Sequence, residues 1–155
     1  MYKYCDSDDS YINLHDCCAE KIKFDNGILS FIFPDGFWIT QQHSLNNSEN
    51  TVLTSSSQID FSIIDKNIDE IKIFMLNEKN GKIVREKQNT IDFINSVNTG
   101  YIRIEFITQY KTHQHFRFEC WVWFDEEPYY SGCEIILHSE NAIYRWNNLR
   151  YDCCW

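Results

Sequence analysis

At 155 residues the chain is sized for one domain, residues 1–155, and a chain of this length buries roughly 70% of its extended surface in one core. Fourteen Lys and Arg against 23 Asp and Glu leave a net charge of -9, which repels nucleic acid and anionic membranes and favours a basic protein as partner. An aromatic content of 16% argues against disorder.

The opening "MYKYCDSDDS" has neither the basic nor the apolar segment of an export signal, and no run approaches the ~18 apolar residues of a membrane span. A cytoplasmic protein is the expectation. There are seven cysteines, with Cys17–Cys18 and Cys153–Cys154 adjacent, and an odd count with neighbouring pairs predicts reduced thiols, not a disulfide framework. In "LHDCC" an extended chain would point His15 and Cys17 the same way, and Cys153 with Cys154 could complete a zinc site. The pattern lacks the two-residue spacing of zinc ribbons, so local hydrogen bonds and a buried cysteine are the expected reading, with no metal and no cofactor.

Strand signals follow. "EKIKFDNGILSFIF" sets Ile22 and Phe24 before Asn26-Gly27, and Ile28, Leu29, Phe31 and Phe33 after it, which is a hairpin signature. Pro34-Asp35-Gly36 then turns the chain into "FWIT", so the first forty residues predict a three-stranded meander. Residues 41–51, "QQHSLNNSENT", read as a long loop inside the domain. "QIDFSII" alternates Ile59, Phe61 and Ile63 inward, and "IKIFMLNEKNGKIVRE" is a second hairpin with Asn80-Gly81 at its tip.

One short helix is predicted, "TIDFINSVN", with a strand as the alternative for the same residues. Thr90 would cap it, Ile91, Ile94 and Val97 would share a side, and Gly100 would stop it. Nine residues are marginal alone, so this helix must pack on the sheet.

The longest β region comes next. In "YIRIEFITQY" the alternation puts Ile102, Ile104, Phe106 and Thr108 on one face and Tyr101, Arg103, Glu105 and Ile107 on the other. "HFRFECWVWF" repeats the pattern, with Phe116, Phe118, Cys120, Val122 and Phe124 inward and His115, Arg117, Glu119, Trp121 and Trp123 outward. A turn near Lys111–Gln114 makes the two strands antiparallel neighbours if their register keeps parity. Their second face would then gather Arg103, Glu105, Arg117, Glu119, Trp121 and Trp123.

Two readings of that face stand. A helix or the C-terminal segment covers the tryptophans, or they form a partner surface, since Trp, Tyr and Arg are the residues enriched at binding hot spots. The following loop carries Asp125, Glu126 and Glu127, either as a solvated turn or as an electrostatic rim for a Lys- or Arg-rich partner. A last strand, "CEIILHS", precedes a tail in which Tyr144, Trp146 and Leu149 pack back onto the sheet. No phosphate loop, Gly-x-Ser-x-Gly elbow or His-Glu-x-x-His sequence is present, and no local motif supports a Cys17–His113 or Cys17–His115 nucleophile pair.

The stretches "YINLHDCCAEKIKFDNGILSFIFPDGFWI" and "CEIILHSENAIYRWNNL" resemble a group of small acidic bacterial proteins that are similar in size and charge to immunity proteins. The resemblance implies a cytosolic, non-enzymatic inhibitor that binds a toxin domain and masks a basic active site. It transfers no catalytic residue. The expected fold is mainly β, an antiparallel curved sheet or sandwich with one short helix; the alternative is an α+β sheet covered by a helix. The expected partner-binding residues are Arg103, Glu105, Arg117, Glu119, Trp121 and Trp123, rimmed by Asp125, Glu126 and Glu127.

Overall fold

A computed structural model describes residues 1–155. Along the chain the strands are β1 (Tyr4–Asp6), β2 (Ile12–Asn13), β3 (Cys17–Ala19), β4 (Lys21–Asp25), β5 (Ile28–Phe33), β6 (Trp38–Ile39), β7 (Val52–Thr54) and β8 (Ser57–Ile63). After two short 3-10 turns come β9 (Ile71–Lys79), β10 (Lys82–Lys87), α1 (Thr90–Asn98), β11 (Arg103–Thr112), β12 (His115–Trp123), β13 (Tyr130–Trp146) and β14 (Leu149–Cys154). The fold is therefore mainly antiparallel β with one short helix, and no helix is long and apolar enough to cross a membrane.

The organising element is β13, 17 residues long. Its first half lies between β12 and β9, and its second half lies between β8 and β1. A register shift between Ser139 and Ala142 separates the halves, and an extra residue in one strand bends it. The sheet is thereby split into two leaves, β3-β11-β12-β13-β9-β10 and β1-β13-β8-β5-β4, which share one core. Phe31 on β5 sits edge-on to Phe106 at 5.3 Å, and Phe61 on β8 meets Phe116 at 5.1 Å and Phe118 at 5.7 Å. Such edge-to-face contacts let large rings fill the space between leaves without voids.

Both Asn-Gly hairpins form as expected, with Asn26, Gly27, Asn80 and Gly81 all at positive φ. The three-stranded meander does not. Strand β6 leaves the leaf and joins a small sheet ordered β14-β7-β6-β2. The cause lies at Gly36, whose φ of +91° turns the chain toward β7, and a Cβ there would stand 2.2 Å from the Thr54 carbonyl oxygen. Thr54 then fixes the crossing by accepting the Phe37 N–H at its hydroxyl and donating its own N–H to the Phe37 carbonyl.

The helix has the predicted bounds but a different cap and a different buried side. The Asn89 side chain, not Thr90, accepts the Asp92 N–H, while the Thr90 hydroxyl donates to the Ile71 carbonyl. Phe93, Ile94 and Val97 face the core and Ile91 is exposed. At its far end Asn98 bonds both the N–H and the carbonyl of Ile22, which satisfies part of the free edge of β4. The predicted tail is likewise corrected: Tyr144 and Trp146 are fully buried residues of β13 itself.

On the second leaf Asp60 is held by Ser30, Gln58 and Arg145, at 2.7, 2.5 and 2.7 Å. Burial pushes the Asp60 carboxyl up, but these donors outweigh it and hold the group below its ordinary value. A lowered carboxyl contributes stability that is present above the unfolded value and is lost as pH falls through the folded one. Unfolding free energy should therefore drop on acidification below about pH 4, and drop less steeply in Asp60→Asn. Urea unfolding at pH 6 and pH 3 checks this; equal drops in the two proteins would rule out the Asp60 contribution.

Candidate functional site

The outer face of the β11-β12-β13-β9-β10 leaf is built in rungs. Arg103, Trp123 and Tyr130 form the first, and Glu105, Trp121, Gly132, Leu76 and Arg85 the second. Thr108, Glu119, Glu134 and Phe74 form the third, Tyr110, Arg117, Ile136 and Lys72 the fourth, and Thr112, His115 and His138 the last. The six residues expected on this face are thus together on it. Backbone bonds from Phe124 to Tyr129 and from Ser139 to Gln114 flank the β12–β13 ladder. Counting inward from either end places Trp123–Tyr130, Glu119–Glu134 and His115–His138 at non-hydrogen-bonded positions, where facing side chains come closest.

One expected residue moves. A bulge between Phe106 and Thr108 turns Thr108 to the outer face opposite Glu119. The extra residue reverses parity beyond it, so Gln109 points inward to the Tyr144 hydroxyl and Tyr110 joins the outer rung with Arg117.

The charges on this face are arranged around Glu134. Glu119 lies directly opposite Glu134, a like-charge pair that is unfavourable alone. Arg117 resolves it, donating to Glu119 at 2.9 Å with its Nε 3.3 Å from Glu134. Arg85 adds a two-pronged contact to Glu134 at 3.2 and 3.3 Å and stacks 3.3 Å above Phe74. The Trp123 indole N–H donates to Glu105 at 2.6 Å, and Tyr130 packs against both Trp121 and Trp123. Arg85, Glu105, Arg117, Glu119 and Glu134 are each oriented by a neighbour, so this part of the face offers fixed hydrogen-bonding edges between aromatic surfaces.

This face is open. Trp121 is 39% exposed, the Arg117 and Glu119 side chains are each 41% exposed, and α1 packs on β4 and β9 while β14 packs on β7. Neither the helix nor the C-terminal segment covers the tryptophans, and of the two readings of Trp121 the covered one is overturned. Trp121 stands as a ridge between two shallow hollows. One, of about 300 Å³, is floored by Gly132 and bounded by Ile107, Leu76 and Arg117; the other, of about 400 Å³, is bounded by Ile83 and Tyr130.

The loop with Asp125, Glu126 and Glu127 extends β12 past the Trp123–Tyr130 rung, exposed, and none of its carboxylates has a basic group within 4.0 Å. The "LHDCC" segment is organised otherwise than an extended chain. Asp16 has φ +60° and Cys17 N–H closes a turn onto the Leu14 carbonyl, so His15 and Cys17 do not share a direction. His15 instead contacts the Ile107 carbonyl through Nδ1 at 2.9 Å and stacks on Trp155. Cys17 is buried, and burial pushes its thiol up to about 12. No three His, Cys, Asp or Glu side chains converge to hold a metal ion.

Sequence reasoning missed Arg85, Phe74, Leu76, Gly132, Glu134 and Ile136, all contributed by β9, β10 and β13. The hairpin "IKIFMLNEKNGKIVRE" and the strand "CEIILHS" were legible as elements, but not which strand lay beside them. Neither a family model, nor a curated protein, nor a solved structure matches the chain.

Proposed function

We propose that the protein is a non-enzymatic binding protein of the immunity type, which neutralises a basic toxin domain by covering its substrate site. The observation that carries the reading is the uncovered aromatic face with Trp121 at its centre and Arg117, Glu119 and Arg85 held in place around it. Trp, Tyr and Arg in pre-oriented positions make few rotamers to freeze on binding, which is how a modest area gives high affinity. The net charge of -9 and the three unpaired carboxylates of Asp125–Glu127 at one end favour a basic partner and speed its encounter.

The test has two stages. Tagged protein is used to capture partners from the lysate of its source organism, and the captured domain is then expressed alone and together with this chain. The expected result is a basic domain that arrests growth alone and is harmless when co-expressed. A captured domain that is not toxic, or one that stays toxic during co-expression, counts against the immunity reading.

A further inference from the structure

The last rung of the outer face carries a feature that the charges and tryptophans do not use. His115 and His138 face each other across β12 and β13 at a non-hydrogen-bonded position, with ring centres 5.0 Å apart and planes inclined by 47°. The Glu70 carboxylate lies 2.5 Å from His138 Nδ1. An ionised Glu70 accepts from Nδ1–H, so the neutral tautomer that this contact favours presents its lone pair at Nε2, while neither ring nitrogen of His115 has a protein partner. The His138 and Glu70 side chains are 33% and 31% exposed, so an ion can reach the pair from solvent.

We infer that His115 and His138 form a two-histidine site for a divalent transition cation of the zinc type, with Glu70 as the carboxylate that orients His138. The ring-centre spacing matches such a site: with Zn–N bonds of about 2.0–2.1 Å the ion lies about 3.2 Å from each ring centre, and two rings at the tetrahedral angle then stand about 5 Å apart. A carboxylate bonded to the second nitrogen is the usual support for a ligating histidine and raises its basicity. Two coordination positions remain for water. Imidazole pairs suit zinc, nickel and copper and not calcium or magnesium, so the site selects by ligand type. The inference does not depend on the protein-binding reading.

Zinc chloride is titrated into the reduced full-length protein while the five histidine rings are followed by nitrogen-edited NMR. The expected result is a saturable shift of His115 and His138 together, with His15 and His43 unmoved. His138→Gln abolishes the His115 shift, and Glu70→Ala weakens zinc binding about tenfold or more without abolishing it. Site-resolved signals keep zinc held by the exposed thiols Cys5, Cys18 and Cys154 separate from zinc held by the imidazoles. No shift at the two rings, a His115 shift that survives in His138→Gln, or a Glu70→Ala affinity equal to wild type would overturn the assignment.

Discussion

Trp121→Ala weakens binding of the proposed protein partner by about 2 kcal/mol or more, roughly thirtyfold in Kd, while the protein stays folded. The direction follows from position: the indole stands between two hollows on an open face and is the large side chain a partner would enclose. Its own structural role is limited, since it packs edge-on to Tyr130 at 5.3 Å and has no hydrogen-bond partner to strand. The stability loss should therefore be about 1 kcal/mol, the order of one aromatic pair. Trp123 is the poorer probe, because removing it leaves the Glu105 carboxylate without its donor and mixes folding with binding. Calorimetric titration against the captured domain, beside urea unfolding of the variant, separates the two effects. Unchanged affinity in a folded variant would move the binding site off this face.

Phe31→Ala costs about 3–5 kcal/mol of stability, a large share of the ~5–15 kcal/mol that holds a typical domain. Phe31 is 1% exposed and belongs to β5 on one leaf, yet it meets Phe106 at 5.3 Å and Phe118 at 6.5 Å on the other. It also meets Phe61 at 6.0 Å on its own leaf, so alanine leaves a void bordered by three rings that cannot all close in. The urea midpoint should fall with the slope unchanged. A cost below about 1 kcal/mol would mean that the leaves do not share a core at this point.

These two residues mark the division between what is local and what is not. Alternation in "YIRIEF" and "HFRFECWVWF" is a property of each strand alone, because side chains of an extended chain change face at every residue. That is why Arg103, Glu105, Arg117, Glu119, Trp121 and Trp123 were legible as one outward set, and why the Asn-Gly turns and the residues of α1 were legible too. The exception within that region, Thr108, comes from a bulge at Ile107, which no alternation pattern marks because Ile107 is itself a good strand residue.

The class of the fold, the hairpins and the composition of the second face are all written in local pattern, since each depends on a period of two or a turn of two residues. Long-range packing, by contrast, leaves this face open, bends β13 to serve both leaves, takes β6 out of the meander, and brings Glu70 to His138 beside His115. Those outcomes depend on which strands lie side by side. That choice is made by the register and packing of segments far apart in the chain, where local pattern carries no information about the neighbour.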